Sequence, residues 1–471
     1  MPSPSPLHSR SRVTAVTHFA AATLLTAVAL LLSSSNLLAS DSGRPNIVLI
    51  MVDDMGYHDL GCYGQRKIKT PHIDKMSSEG MRFTNVYAGS PVCAPARSVL
   101  MTGRHTGHTT VRGNFGKFGV KGLGGGNGRV PLNADDVTVA EVLQGAGYTT
   151  GMIGKWGLGE PNTTGEPRKQ GFDYFFGHLN QRRAHTYYPS YLWRNEKKIV
   201  LTGNTSGKRS QHSHFLFAAE ALEFVKKNAD VEKPFFLYLP FTFPHSKYEI
   251  PSVAPYENEP WSKDAKVHAA MITQMDKDVG KLLTLLKELK IDDNTLVFFC
   301  SDNGAAQRWT DIFDSSHPLR GRKRDVYEGG IRTPMIARWP GRVPAATTND
   351  SPWAFWDILP TLAEVAGNPK DVPNDIDGTS VLRSLLGQTQ TELNNRFLYW
   401  EFYEGGFVQA VRRGKWKAIR FANKQLQLYD LSKDIAEATD VADENPEVVA
   451  QFSKYLLTAR VPSKNWVSPV D

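Results

Sequence analysis

Cysteine is scarce in this chain, which has three in 471 residues: Cys62, Cys93 and Cys300. Such a small and odd number excludes a scaffold stapled by several disulfides. Cys62 and Cys300 each lie in an apolar or glycine-rich stretch, which favours two buried thiols over a bridge between them, although their spacing leaves both open. Cys93 stands apart because prolines flank it on both sides.

Long runs of one charge sign are also missing. The formal net charge is +7, from 55 Lys and Arg against 48 Asp and Glu, and no basic stretch is long enough to indicate nucleic-acid binding. A basic pocket for an anionic substrate is the more economical explanation of the excess. The chain has no internal repeat, and its 41% hydrophobic and 22% charged residues are typical of a soluble globular protein.

One apolar run approaches the length of a membrane span, and it occupies residues 19–32. Basic residues precede it, and small, mostly polar residues follow it over 33–40. This order is typical of a secretory signal peptide covering residues 1–40, cut near Ala39 or Ser40. An uncleaved membrane anchor is the alternative, but the run is short for a bilayer. We therefore expect an exported protein, periplasmic or secreted, with no stable membrane span after cleavage.

Four short apolar runs are typical of strands buried on both faces, as in parallel sheets. They span residues 45–51, 148–153, 234–243 and 295–300. Within a few residues, each is followed by charged or polar side chains: Asp53 and Asp54, Lys155, His245, and Asp302 with Asn303. Ligand sites of open α/β sheets lie beyond the carboxyl ends of the strands. The sequence therefore predicts an α/β fold with these side chains near its site.

The segment 90–104 reads SPVCAPARSVLMTGR and contains Cys93, Pro95 and Arg97 in a C-x-P-x-R core. Pro95 suits the first turn of a helix, where its missing N–H costs nothing. We predict a short helix over 96–101. Residue 93 then lies just before a helix N-terminus, where unpaired N–H groups and the helix dipole favour an anion.

This segment is similar to the signature of the type I sulfatases, in which a separate enzyme oxidises the motif cysteine to formylglycine (3-oxoalanine). Other separated segments agree with it: V-D-D-M-G-Y from residue 52, G-K-W from 154, S-D-N-G from 301, and L-R-G-x-K with E-G-G-x-R-x-P between 319 and 334. The resemblance implies an alkaline-phosphatase-like fold. Its mixed sheet, sandwiched by helices, would form a catalytic domain over 41–385. A smaller C-terminal part, 386–471, would hold an antiparallel sheet and a helix.

The resemblance also implies a role for each matched residue. Formylglycine at position 93 would be hydrated. One hydroxyl would attack sulfur and the other would let sulfate leave, which an unmodified thiol cannot do. Cations would stabilise the charge on the sulfate oxygens, and a histidine would protonate the departing alcohol. The cations are Arg97, Lys155 and Lys323, and the histidine is His245. An oxygen-only shell, suited to Ca²⁺ more than to Zn²⁺, would come from Asp53, Asp54, the modified Cys93, Asp302 and Asn303.

One position departs from the family pattern. Most members have a histidine directly after G-K-W, where this chain has Gly157. The segment 171–191 carries aromatic and basic residues, among them Arg183 and His185. It is either a loop that lines the site and binds the substrate or a packed surface loop. We hypothesise that His185 compensates for the missing histidine.

We therefore predict a sulfuric ester hydrolase, an arylsulfatase-like enzyme that acts on a sulfated carbohydrate or an aryl sulfate and is matured by a formylglycine-generating enzyme. Export and the basic, aromatic segment favour the carbohydrate. A phosphate or phosphonate ester hydrolase of the same superfamily is an alternative, because phosphate and sulfate are nearly isosteric. It normally has a Ser or Thr nucleophile or other metal ligands, so Cys93 counts against it. A catalytically silent binder of sulfated glycans is the other alternative, and Gly157 is its only support.

Overall fold

A ten-stranded mixed sheet forms the centre of the protein in our computed structural model, which describes residues 1–4, 43–120 and 128–470. Numbered along the chain, the strands are β1 (Asn46–Val52), β2 (Met81–Phe83), β3 (Val86–Tyr87), β4 (Thr149–Lys155), β5 (Tyr174–His178), β6 (Tyr191–Arg194), β7 (Lys197–Val200), β8 (Phe235–Pro240), β9 (Thr295–Ser301), β10 (Met335–Arg338), β11 (Thr347–Asn349), β12 (Trp353–Ala354), β13 (Leu398–Phe402), β14 (Val408–Arg413), β15 (Trp416–Phe421) and β16 (Gln427–Asp430). Ten of these strands form the large sheet, in the order β11-β2-β10-β9-β1-β8-β4-β5-β6-β7.

Helices cover both faces of this sheet. The α-helices span Pro71–Ser78, Cys93–Thr102, Val139–Gly145, Ser213–Ala229, Lys263–Glu288, Glu328–Ile331, Ile358–Val365, Leu382–Leu385, Glu392–Asn395 and Pro446–Leu456. Strand β1 shows how the two faces are used. Its side chains Ile47, Leu49 and Met51 pack into one apolar core, and Val48, Ile50 and Val52 pack into another on the opposite face. This alternation explains why the strand is apolar at every position.

The four central strands run parallel in the order β9-β1-β8-β4. In their register, Val48 of β1 lies between Leu237 of β8 and Val297 of β9. Neighbouring parallel strands end at the same edge of a sheet, so the residues that follow them come together there. The predicted mixed α/β sheet between helices is confirmed, and all four predicted apolar runs form these strands.

The C-terminal strands form a separate antiparallel sheet of order β13-β14-β15-β16. One face packs on the helix Pro446–Leu456, where Tyr399 and Val411 meet Phe452. The other face, including Trp400, belongs to the larger apolar core of the catalytic part. This arrangement matches the predicted small antiparallel sheet and helix.

The chain divides into two units, Met1–Gly43 and Arg44–Asp471, and every element above lies in the second. The predicted signal peptide falls almost wholly on residues 5–42, outside the described part of the chain. Among the residues that are described, no helix has the length and apolar character needed to cross a membrane. Cys62 and Cys300 are both free thiols, the first half-buried and the second buried.

Candidate active site

The carboxyl edge of the four central strands gathers the residues that the sequence singles out. Asp53 and Asp54 follow β1, Lys155 ends β4, and Asp302 with Asn303 follows β9. His245 lies five residues beyond β8. These side chains are all buried, the most exposed being His245 at 6%. Lys323 arrives from the loop before the helix Glu328–Ile331 and keeps 15% of its side chain exposed.

Cys93 lies at the centre of this group. Its Sγ is 3.2 Å from Oδ1 of Asp53 and 3.6 Å from Nζ of Lys323. Only 2% of the residue is exposed, and burial, reinforced by the Asp53 carboxylate, raises the pKa of the Cys93 thiol. An unmodified Cys93 therefore stays protonated and is a weak nucleophile.

The helix after Cys93 is longer than the sequence predicts. We expected it to begin at residue 96, with residue 93 just outside it, but the helix starts at Cys93 itself and continues to Thr102. The N–H groups of the first helical residues have no acceptor within the helix. Pro95 is the third helical residue, so its missing N–H costs no helical hydrogen bond. Residue 93 therefore belongs to the first turn, and Val92 is the extended residue before the helix.

Each of three cations faces one carboxylate. Nζ of Lys155 is 2.5 Å from Asp53, Nζ of Lys323 is 2.6 Å from Asp54, and Nη2 of Arg97 is 2.8 Å from Asp302. Burial on its own would raise the pKa of Asp53, but Lys155, His245 and Arg97 outweigh it and hold that pKa well below its usual value. Asp302 differs, because burial and the nearby Asp53 raise its pKa to about 7. The three cations supply the fixed positive charge that an oxyanion requires.

His245 turns one ring nitrogen into the site. Its Nδ1 donates to the carbonyl of Ser246, which leaves Nε2 3.3 Å from Oδ2 of Asp54 and 3.3 Å from Nζ of Lys323. Burial lowers the pKa of His245, while Asp54 and Asp53 act in the opposite direction. The ring of His185 stacks on it with centroids 3.7 Å apart.

The oxygen atoms at this edge fit a hard divalent cation. Asp53, Asp54 and Asp302 contribute carboxylates, and Oδ1 of Asn303 is buried and has no hydrogen-bond partner among the described residues. The amide of Asn303 donates to Oδ1 of Asp54 at 2.8 Å, which orients the free Oδ1. Asp54 has a φ of 66°, a strained conformation of the kind found at functional sites. A set of oxygens alone is typical of Ca²⁺ or Mg²⁺ sites.

A cavity of about 450 Å³ opens over Cys93, and its wall includes residues that the sequence did not indicate. Asp54, His245, Lys323 and His185 line it as expected. The residues missed are Asn114, Phe115, Arg129, Gln181, Ser246, Ala306 and Arg324, whereas Arg182 belongs to the basic segment 171–191 that the sequence singled out. None of them belongs to a motif, and only the basic character of the segment 171–191 hinted at part of this wall. Arg183 lies outside this cavity and lines a second one beside it.

The space beside Gly157 is filled by Gln181. A Cβ atom at position 157 would lie 2.2 Å from Oε1 of Gln181, and the φ of Gly157 is 83°. His185, which we expected to compensate for the missing histidine, lies in the same cavity but stacks on His245. Its compensating role stays a prediction.

A buried polar centre at the carboxyl edge of an α/β sheet, with carboxylates and cations in pairs, defines a hydrolase of the alkaline-phosphatase-like class. The family model described as Sulfatase matches residues 45–368, and the one described as N-sulphoglucosamine sulphohydrolase, C-terminal, matches residues 321–461. The chain belongs to the sulfatase family and is a sulfuric ester hydrolase.

Its relatives include sulfatases of mammals and a solved structure. The chain is 32% identical to the N-acetylgalactosamine-6-sulfatase of Canis lupus familiaris over 83% of its own length and 74% of that protein. It is 33% identical to arylsulfatase G of Rattus norvegicus, over 80% of its own length and 76% of that protein. The structure of Ps i-CgsB in complex with k-i-k-neocarrahexaose superposes with a TM-score of 0.77 at 29% identity, covering 90% of this chain and 95% of that one.

Proposed function

We propose that this enzyme removes sulfate from a sulfated carbohydrate through a formylglycine made from Cys93, with the help of one Ca²⁺ ion. The observation that carries this proposal is the environment of Cys93. Its thiol is buried against Asp53, and burial raises its pKa, so an unmodified thiol is poorly suited to attack. Oxidised to formylglycine and hydrated, residue 93 supplies a hydroxyl nucleophile and a second hydroxyl from which sulfate can leave.

The cation would be held by five oxygen-bearing side chains: Asp53, Asp54, the modified Cys93, Asp302 and Asn303. When bound, it supplies positive charge beside residue 93 and the sulfate. The unpartnered Oδ1 of Asn303 supports this assignment, because a buried acceptor without a donor is costly.

The remaining residues act on the sulfate and on the leaving group. Lys155, Lys323 and Arg97 stabilise the negative charge of the sulfate oxygens as it grows in the transition state. His245 presents Nε2 to the cavity and gives a proton to the departing alcohol oxygen. Asp54, 3.3 Å away, favours the protonated form of that ring.

Two relatives support a carbohydrate as the substrate. One is named for a sulfated sugar, N-acetylgalactosamine 6-sulfate, and the structural relative was solved with a neocarrahexaose bound. In this chain, Arg183 and His185 border the cavities next to residue 93 and are proposed to contact the sugar. Export through a signal peptide over residues 1–40, and maturation by a formylglycine-generating enzyme, complete the proposal.

The test begins with the mass of the peptide that contains residue 93, after co-expression with a formylglycine-generating enzyme. Conversion of the thiol to the aldehyde lowers the mass by about 18 Da. We expect this shift together with hydrolysis of sulfated sugars, and a loss of at least roughly 10³-fold in kcat/KM for Cys93→Ala. Cys62→Ala is the matched control and should keep its activity, because Cys62 is absent from the cavity lining.

Three results would contradict the proposal. Full activity with an unmodified Cys93 would rule out the formylglycine. Complete conversion without hydrolysis of any sulfate ester would favour a silent glycan binder, and faster hydrolysis of phosphate or phosphonate esters would favour the other branch of the superfamily.

A further inference from the structure

A second cavity, of about 690 Å³, opens beside the cavity over residue 93. Arg182, His185 and Ser246 line both of them. The two spaces are therefore neighbours across a shared wall, and a ligand longer than one sugar ring can extend from the first into the second. Cavities of this size commonly hold small-molecule ligands.

The charge of the second cavity has one sign. Arg182, Arg183 and Lys247 line it, and no Asp or Glu is among its lining residues. His185 adds no charge near neutral pH, because burial lowers its pKa far below the usual value. Arg183 and Lys247 therefore favour an anion in this cavity, whereas Arg97, Lys155 and Lys323 beside residue 93 are each paired with a carboxylate.

Two of these cations are placed to meet a ligand. Lys247 is exposed, and its backbone N–H is held by the carbonyl of His185 at 3.2 Å, which fixes the start of its side chain at the shared wall. The guanidinium of Arg183 lies over the ring of Tyr191 at 4.0 Å, and it forms no ion pair with a carboxylate of the described residues. A stacked guanidinium keeps its N–H donors available at the ring edge.

The walls between the cations suit a sugar. Tyr188 provides an aromatic side chain, and Thr186 and Ser190 provide hydroxyl groups. Arg209 lies over the Tyr188 ring at 4.4 Å but is paired with Glu249 at 3.0 Å, so it orients the ring without adding net charge. An aromatic surface with a few polar groups is a common arrangement in ligand cavities.

We propose that the second cavity binds the sugar next to the one that carries the scissile sulfate, and that a second anionic group on that sugar pairs with Lys247 and Arg183. The inference rests on the proposed function and narrows its substrate to an oligosaccharide with at least two anionic groups. The second group is a sulfate or a carboxylate, which share the charge and the acceptor oxygens that these cations recognise.

The first experiment changes the substrate and leaves the enzyme intact. Mature wild-type enzyme is given a disaccharide sulfated only at the reactive position, the same disaccharide with a further sulfate on the neighbouring ring, and one with a carboxylate there. We expect kcat/KM to rise about five- to tenfold with the second anionic group, through a lower KM, as two partly exposed ion pairs allow. The gain should shrink at 0.5 M salt. The stronger of the two anions identifies the group that the cavity binds.

The second experiment removes the cations. Lys247→Ala should lose most of that gain, measured as the ratio of kcat/KM on the doubly anionic disaccharide to kcat/KM on the singly sulfated one, with kcat on the doubly anionic disaccharide within about twofold. Adding Arg183→Ala should lower this ratio further, and the ratio corrects for any loss of sugar contact that both substrates share. Lys197→Ala is the matched control, since Lys197 is exposed and lines neither cavity. Lys247→Glu should raise the KM of the doubly anionic substrates further.

The inference is overturned if the second anionic group gives the wild type no advantage, or if the variants lose equal activity on singly and doubly anionic substrates. Failure of the proposed function has a different signature, because the wild-type enzyme would then hydrolyse neither disaccharide nor a small aryl sulfate such as 4-nitrophenyl sulfate.

Discussion

At Gly157 the backbone has a φ of 83°, and the absent side chain leaves room for Gln181, whose Oε1 would be 2.2 Å from a Cβ there. Glycine is thus required for two reasons: the backbone has a positive φ, and Gln181 leaves no room for a Cβ atom. Nε2 of Gln181 lies 3.4 Å from Oδ1 of Asn114, which in turn lies 3.4 Å from the backbone N–H of Ala94, next to the nucleophile position. A change at 157 therefore reaches the cavity wall through Gln181.

We predict that Gly157→Ala lowers the free energy of unfolding by about 2–4 kcal/mol and lowers kcat/KM, because the backbone strain adds to displacement of Gln181. The control is Gly207→Ala, at a φ of 80° with no atom within 4 Å of the added Cβ, which should cost only about 1–2 kcal/mol. Urea unfolding and kinetics on both variants measure the difference. Equal losses in the two variants would show that Gln181 does not constrain position 157.

The helix Ser213–Ala229 depends on an unusual cap. His212 precedes it, and Nδ1 of His212 accepts from the backbone N–H of His214 at 3.3 Å, while Nε2 donates to the carbonyl of Glu249 at 3.1 Å. The bond at Nδ1 needs a neutral ring, because a protonated Nδ1 cannot accept, whereas Nε2–H can donate in either state. Burial lowers the pKa of His212 to about 4, so the cap survives at neutral pH. Histidine is not a favoured N-cap residue, so the sequence alone does not reveal this role.

We predict that His212 makes the protein less stable in mild acid. Above pH 6.5 the ring is neutral in both states, and between 6.5 and about 4 the unfolded chain binds a proton that the folded protein excludes. Stability is therefore lost as pH falls through this range, by about 2–3 kcal/mol for this one residue. His212→Asn keeps a capping oxygen and should reduce that loss, measured by urea unfolding at pH 7 and 4.5. The exposed His72→Asn is the control, and an identical pH dependence in wild type and His212→Asn would refute the prediction.

At the scale of the whole molecule, a buried charge cluster connects the C-terminal sheet to the catalytic part. Lys417 on β15 lies 2.9 Å from Oε1 of Glu328 and 2.9 Å from Oε1 of Glu437, and all three side chains are fully buried. Burial would raise the pKa of Glu328, but Lys417 and Arg332 outweigh it and bring that pKa to about 2. Burial raises the pKa of Glu437 to about 7. One lysine thus pairs with two carboxyl groups, and one of these groups has a pKa near neutral pH.

We predict that Lys417→Met lowers the free energy of unfolding by about 3–5 kcal/mol, because it removes the cation shared by two buried carboxyl groups and leaves Arg332 to pair with Glu328. Adding Glu437→Gln should recover part of this loss, since the amide carries no charge. Lys415→Met is the matched control: Lys415 pairs with Asp430 at 2.7 Å but is 46% exposed, so we expect a change of at most about 1 kcal/mol. Urea unfolding of the three variants measures these changes. The prediction is contradicted if Lys417→Met lowers the free energy of unfolding no more than Lys415→Met does.

Local patterns in the sequence were sufficient for the four central strands of the sheet and for the residues at their edge. Strands such as β1 are apolar at every position because helices cover both faces, and that pattern is visible without a structure. Asp53, Lys155 and Asp302 could be assigned to one site because each directly follows or ends such a strand, and neighbouring parallel strands end at the same edge. The small C-terminal antiparallel sheet and its helix were expected from the resemblance to the sulfatases, and the structure has both.

The remaining features depend on contacts between segments far apart in the chain. Gln181 lies against Gly157, and Lys417 lies between Glu328 and Glu437, although no periodicity connects these positions. Our prediction began this helix at residue 96, three residues after its actual start at Cys93. The first turn of a helix does not need the N–H that proline lacks, so Pro95 does not mark where the helix begins. Periodicity reports which side of an element is buried, whereas the partner of each buried polar group is chosen by how the elements pack.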